Sequence, residues 1–289
     1  MASVKKKEKF KEDKNLISEL DQQIRSYVQE YGTNRDSELL DQAIADINKH
    51  HQNQRRKSGQ PVIIHPLRVA NYICRAGLDA PTVVAALLHD IIEDTKITHK
   101  DIQKRYGNWY ADIVKGLTKI KKTERSKIEA GNNIEASYQR MLKTMAQDVR
   151  ALIIKIFDRL DNMRYVEFMP RDKQRRHSLE TLNVYVPIAE RLGLVQICQE
   201  HTELCFKLLY PKRYQKILKE IDELKQARIS SIHAMQNSLY KTLENQNLEY
   251  NHVETDFGIG NFCIWRTRKT FGNLPLGQSN LLPYKTKLN

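Results

Sequence analysis

The stretch Ala85 to Thr95, AALLHDIIEDT, sets His89, Asp90, Glu93 and Asp94 among aliphatic residues. Three carboxylates so close together repel one another, and burying any of them unpaired is costly unless positive charge lies between them. Read as one continuous helix, the run stacks Asp90 over Asp94 and His89 over Glu93, one turn apart. His89 and Asp90 then point about 100° apart, yet both can lean toward one ion lodged against the helix side. Two other ionisable residues stand oddly among apolar neighbours. His65 follows PVII and precedes Pro66, which pins a helix start and fixes the direction of the imidazole. Asp158 lies within LIIKIFDRLDNM. An unpaired aspartate there costs on the order of several kcal/mol, so Lys155, Arg159 or a metal must answer it.

Two imidazoles and two carboxylates, His65, His89, Asp90 and Asp158, suit a first-row divalent ion such as manganese, iron or zinc, with positions left for water. Such an ion lowers the pKa of its water and polarises a phosphoryl oxygen, so the matching chemistry is hydrolysis of a phosphoester or phosphoanhydride. Glu93 and Asp94 are placed to orient that water or take its proton. Asn162, four residues after Asp158, faces the same space as a neutral donor. The other histidines, His50, His51, His99, His177, His201, His233 and His252, have polar neighbours and are read as surface residues.

Helices must position these groups. Helical periodicity runs through most of the chain, and only 11 glycines and 8 prolines interrupt it, which predicts an all-α fold. Leu16 to Tyr31 and Leu39 to His50 read as amphipathic helices, the second capped by Asp36 or Ser37. RRKSGQP is a loop, Pro66 opens a helix that ends near Gly77, and Pro81 opens the next. Two short helical segments follow, and the charged run from Lys119 to about Asn133 reads as a mobile loop. Asp148 starts a strongly apolar helix, which the basic stretch MPRDKQRRH interrupts. SLETLNVYVPIAERLG then carries a kinking Pro187 and stops at Gly193. Helices over Glu200–Leu209 and about Tyr214–Asn245 end the regular part. The expected organisation is a basic helical segment over 1–34, the site-bearing domain over 35–199, a helical extension over 200–246 and an irregular tail over 247–289.

The 289 residues carry a formal net charge of +13. That charge attracts something anionic, whether nucleic acid, a membrane surface or a phosphate-rich small molecule. Part of the excess sits in the first 14 residues, where lysines alternate with acids as on a solvated helix. The four cysteines, Cys74, Cys198, Cys205 and Cys263, have no paired spacing, which argues against a disulfide framework or a cysteine zinc site. That cysteine usage makes a reducing cytoplasm the expected setting, and with no apolar stretch near the roughly 20 residues that span a bilayer a soluble protein is expected.

RRKSGQPVIIHPLRVA, AALLHDIIEDT, GLTKI, IKIFDRLDNMR and ETLNVYVPIAERLG, in this order, closely resemble the hydrolase domain of the RelA/SpoT alarmone enzymes, within the wider HD superfamily. The resemblance covers about Leu39 to Tyr214. It implies an HD-domain helical bundle and a manganese-dependent pyrophosphohydrolase, one ion per chain, that removes the 3′-diphosphate from ppGpp and pppGpp. By position it implies that His65, His89, Asp90 and Asp158 hold the manganese while Glu93 and Asp94 handle the attacking water. Arg56, Lys57 and Ser58 align with the family's nucleotide-contacting loop, and Asn162 with a residue close to ribose and phosphates. Lys119, Arg164 and Tyr185 are further candidates for the same pocket. The sequence departs from the family pattern at Asp161, commonly His, and at Tyr165, usually Thr. An extra acid at Asp161 would tighten the metal site or tune substrate preference, unless it lies on the outer helix face.

NFCIWRTRKT is similar to the start of the family's synthetase domain, but no catalytic carboxylates of that domain follow it, so no synthetase activity is expected. Nucleic acid or ribosome binding is not expected either, and a homo-oligomer is left open. Two alternatives stand beside this reading. One is an HD phosphohydrolase with another nucleotide substrate, and the other is a non-catalytic binder of alarmone or RNA.

Overall fold

The computed structural model describes residues 2–52, 54–128, 139, 148–245, 252–257 and 263–268, with side chains assigned over most of them. The chain divides into two units, Met1–Leu209 and Tyr210–Asn289. Among the described residues no helix is long and apolar enough to cross a membrane.

The first unit is a helical bundle. Helix α1 (Ala2–Tyr31) buries Leu20, Ile24 and Val28 at the four-residue spacing of one helix face. Helix α2 (Asn34–His51) starts on a capping box in which Thr33, rather than Asp36 or Ser37, is the cap. Asp36 sits three residues into the box and accepts the Thr33 backbone N–H at 2.8 Å, so the two residues satisfy each other's orphan donors. Helices α3 (Ile64–Arg75) and α4 (Ala80–Leu87) pack against each other, and both contact α1. Leu67, Ala70 and Ile73 of α3 and Val83, Val84 and Leu87 of α4 are fully buried in the main core. Burying each of the larger aliphatic side chains stabilises the bundle by roughly 1.5–3 kcal/mol.

After the short α5 (Ile91–Asp94) come α6 (His99–Tyr106) and α7 (Asn108–Ile128). Helix α7 is longer than periodicity suggests. It continues into the charged run from Lys119 that was expected to be a loop, while residues 129–138 lie outside the described residues. Charged side chains do not end a helix by themselves, and TKIKKTERSKI contains neither glycine nor proline.

Helix α8 (Val149–Arg164) is the central strut. Asp148 caps it by accepting the Arg150 N–H at 2.9 Å. Ile154, Phe157 and Leu160 enter the main core, while Leu152 and Ile156 pack with Val184, Tyr185 and Ile188 in a second cluster. A helix covered on two sides reads as apolar almost all round. The basic stretch after it is itself helical as α9 (Arg171–Glu180), and then widens to a π turn over Thr181–Tyr185 before α10 (Val186–Arg191). Pro187 supplies the cause, because its ring and missing N–H exclude the usual bond to the carbonyl four residues back. Helix α11 (Val195–Leu209) closes the unit.

The second unit holds α12 (Pro211–Asn245) and, within the stretch expected to be irregular, a two-stranded antiparallel ladder. Strand β1 (His252–Phe257) pairs with β2 (Cys263–Arg268) in the register Val253 opposite Thr267. The rest of 247–289 lies outside the described residues.

Candidate metal centre

The quoted stretch is not one helix. Helix α4 stops at Leu87, and the Leu88 N–H reaches back to Ala85 and Val84 carbonyls at 3.2 and 3.3 Å. Leu88, His89 and Asp90 form turns, and α5 begins afterwards, its Ile91 N–H bonded to Leu88 O at 3.1 Å. The break removes the divergence that a continuous helix would impose on adjacent side chains. His89 Nε2 and Asp90 Oδ2 stand 3.3 Å apart. His89 Nδ1 donates to the Ala86 carbonyl at 2.7 Å, which fixes the tautomer and leaves the Nε2 lone pair facing inward.

Two other elements deliver the remaining groups to the same point. His65, in the first turn of α3, places Nε2 3.2 Å from His89 Nε2, 3.2 Å from Asp158 Oδ1 and 3.7 Å from Asp90 Oδ2. His89 Nε2 is 3.9 Å from Asp158 Oδ1. His65, His89 and Asp158 are buried, and their donor atoms all lie within 4.8 Å of one another. Ligand atoms about 2.1 Å from a shared ion stand about 3.0–3.4 Å apart, which is close to these spacings. Two inward imidazole nitrogens at 3.2 Å also need a cation or a shared proton between them.

The charges are arranged for that cation. Burial alone would drive the Asp158 carboxyl toward its neutral form. Lys155, and then His65 and His89, instead hold it well below the usual carboxylate range. Lys155 Nζ engages Oδ2 at 2.9 Å, and Asn162 donates to Oδ1. Burial likewise opposes charge on His65, but the Asp158 and Asp161 carboxylates outweigh it and lift the imidazole to about 9. These carboxylates demand positive charge, and with two imidazoles turned on the same space the residues fit a divalent ion.

Beside the centre lies the loop that carries Arg56, Lys57 and Ser58. Arg56 N–H bonds to Gln60 O and Gly59 N–H to Arg56 O, both at 2.8 Å, and Arg55 bridges Pro61 across a short hairpin. Gly59 has φ 84°, a left-handed conformation that glycine adopts without strain. Arg56 donates to Asp161 Oδ2 at 2.9 Å and to Asn162 Oδ1. Gln54 donates to the Asp94 carbonyl at 3.2 Å, tying the loop to α5. Arg68 lies 4.9 Å over the Tyr165 ring, with Arg56 at 5.8 Å.

The structure thus brings together His65, His89, Asp90, Asp158, Asn162 and Arg56. Glu93 is half-buried and Asp94 exposed on α5, directly after the turn. Lys57 is exposed, and Ser58 is half-buried in the loop turn. Arg164 is paired with Glu200, its Nη2 2.8 Å from Oε2, and donates to the Tyr72 hydroxyl. Tyr185 has no solvent exposure; it is a core residue with Arg159 stacked 4.2 Å over its ring, which corrects its reading as a nucleotide contact. It is the last residue of the π turn. Lys119 lies on α7, but its side chain is outside the described residues. His51 and His201, read as surface residues, are buried at 3% and 0% exposure. Neighbours in sequence were a poor guide to neighbours in space. Asp161 is the hub that sequence reasoning left undecided. It is fully buried, not on the outer helix face. Its spacing of three from Asp158 was the available signal, because residues three apart share a helix face.

The chain is 40% identical over 201 residues to the guanosine-3′,5′-bis(diphosphate) 3′-pyrophosphohydrolase of Vibrio cholerae serotype O1, covering 68% of this chain and 28% of that protein. It is 40% identical over 207 residues to the bifunctional (p)ppGpp synthase/hydrolase SpoT of Escherichia coli K12, covering 71% and 28%. It is also 39% identical over 181 residues to the probable GTP pyrophosphokinase of Mycobacterium leprae, covering 63% and 22%. The chain therefore spans between 22% and 28% of the length of these curated relatives. The HD domain family matches residues 43–195, a span that begins in α2, takes in every donor of the centre and ends where α11 starts. A family match over more than half of the sequence, with a cluster of candidate metal ligands inside it, makes this chain a member of the HD domain family.

Proposed function

We propose that this chain hydrolyses ppGpp and pppGpp, cleaving the bond between the ribose 3′ oxygen and its diphosphate. Water supplies the hydroxyl that leaves on pyrophosphate and the proton that stays on the nucleoside, giving GDP or GTP. The convergence of His65, His89, Asp90 and Asp158 beside an anchored arginine loop carries the reading. The names of the relatives supply the substrate. His65, His89, Asp90 and Asp158 would hold one Mn2+, an ion that acidifies water and polarises a phosphoryl oxygen when bound.

The chain's own residues have distinct tasks in this reading. Glu93 and Asp94, one turn past the metal-facing pair, orient the attacking water and take its proton. Arg56 and Lys57 meet the diphosphates, with the planar guanidinium suited to chelating phosphate or stacking on a base. Asn162 sits between Arg56 and Asp158, so it faces both nucleotide and centre. Ser58 and Arg164 line the approach. The working environment is the cytoplasm, where alarmones are encountered.

The test is pyrophosphate release from ppGpp by metal-stripped protein, with Mn2+, Zn2+ or Fe2+ added back singly. Release with Mn2+ is the expected result. Release from other nucleotides but not from ppGpp would transfer the same chemistry to another substrate. No release from any nucleotide with any of the ions would leave a binding protein.

A further inference from the structure

Asp161 sits one turn beyond Asp158 on α8 and has no solvent exposure. Its Oδ2 lies 2.6 Å from His65 Nδ1 and 2.9 Å from Arg56 Nη1. Its Oδ1 accepts from the Tyr72 hydroxyl at 3.4 Å, and Arg68 Nη1 stands 3.9 Å away. An ionised carboxylate only accepts hydrogen bonds, so His65 Nδ1 must carry the proton of this pair. The ring is then oriented with Nε2 toward His89 and Asp158, the direction in which a metal would be met.

The two imidazoles of the centre are therefore oriented by different kinds of acceptor. His89 uses the Ala86 carbonyl, which no side-chain substitution removes. His65 depends on a side chain. An ion at Nε2 must displace one of the ring's two protons; without an acceptor at Nδ1, the proton that stays would sit on Nε2, where Asp158 Oδ1 waits at 3.2 Å, and the ligand atom would be blocked. The same carboxylate stands between the site and two guanidinium groups, Arg56 and Arg68, whose charge would otherwise oppose a divalent ion.

We propose that Asp161 is a positioning residue for the metal centre: it holds the His65 imidazole with Nε2 free to bind the ion, and its charge offsets the adjacent arginines. Acceptors that orient a ligating histidine typically contribute about 10–100-fold to metal affinity. The inference rests on the metal-dependent reading above but not on the identity of the nucleotide.

The experiment uses the full chain, stripped of metal, and measures Mn2+ affinity by electron paramagnetic resonance for wild type, Asp161→Ala and Asp161→Asn. Urea unfolding establishes that each variant is folded. Asp161→Ala is expected to bind Mn2+ about 10–100-fold more weakly. Asp161→Asn should recover part of that loss, because its amide oxygen still accepts from Nδ1, but not all, because the charge is gone. Pyrophosphate release that is lost in the variants at limiting Mn2+ should return at saturating Mn2+, which a general structural defect would not allow. Wild-type Mn2+ affinity in folded Asp161→Ala overturns the proposal; if that variant does not fold, wild-type affinity in Asp161→Asn overturns it. Wild-type protein that binds Mn2+ but leaves ppGpp intact would remove the proposed substrate and leave the positioning role standing.

Discussion

Lys155 Nζ lies 2.9 Å from Asp158 Oδ2, three residues away on the same helix, with both side chains buried. The carboxylate is divided between two tasks: one oxygen answers a protein cation, and the other faces His65. Breaking a buried pair leaves one charge with less compensation, so Lys155→Met should destabilise metal-free protein by about 3 kcal/mol. Excess Mn2+ should return part of the loss by binding only the folded state. Urea unfolding with and without Mn2+ measures both effects.

Asp90 and Glu93 should separate under substitution. Asp90 Oδ2 approaches both imidazoles, so Asp90→Asn is expected to reduce Mn2+ affinity and turnover together. Glu93 stands one turn further on, and Glu93→Gln should keep Mn2+ affinity within about threefold while kcat falls by about 100-fold or more. Equal losses of affinity in the two variants would make Glu93 a ligand instead of a proton acceptor.

His201 gives the fold a dependence on pH that the centre does not explain. Burial drives its imidazole down to about 4, although its bond to the Ile156 carbonyl at 3.3 Å works in the opposite direction. The unfolded chain, with histidine near 6.5, takes up a proton that the folded protein refuses. Its contribution is therefore complete above about pH 6.5 and is lost as pH falls toward 4. At pH 5 the loss is about 2 kcal/mol relative to pH 7. Urea unfolding of wild type and His201→Asn at both values should show that difference in the wild type alone.

Gly32 is held by a close approach. A Cβ there would lie 2.6 Å from Val28 O and 3.0 Å from the Ala80 Cβ. Gly32→Ala must shift the turn away from the Val28 carbonyl at the end of α1 as well as from Ala80 of α4, and should lower stability by about 1–3 kcal/mol. Thermal unfolding reports that loss, and Mn2+ affinity should remain at the wild-type level, since no donor of the centre touches this turn.

The helical bundle was legible because its signals are local. Aliphatic spacing in α1, proline near the start of α3 and α4, and Asp148 before α8 each act within a few residues. The centre was legible for a related reason: charged groups among aliphatic residues, as at His65, His89 and Asp158, are expensive without a purpose. Three things escaped. The turn at His89 could not be seen because AALLHDIIEDT contains neither glycine nor proline to mark a break, and tertiary context routinely overrides helix propensity. Tyr185 looked available because its burial against Leu152 and Ile156 of α8 is a tertiary contact that local sequence does not show. Asp161 stayed ambiguous until the partners from α3 and the loop were in place, since periodicity says which face a residue occupies but not what that face meets.

The donors of the centre come from the start of α3, the turn after α4 and the middle of α8. An ion held there is a staple across chain segments far apart in sequence, and closing such long intervening loops restricts the unfolded chain as a crosslink would. Stripping the metal should therefore loosen the connection between α4 and α8 before it disturbs the interior of either helix. Amide exchange would record this as earlier opening of residues 88–94. Cellular supply of the ion would then set how long the folded chain persists as well as how fast it works.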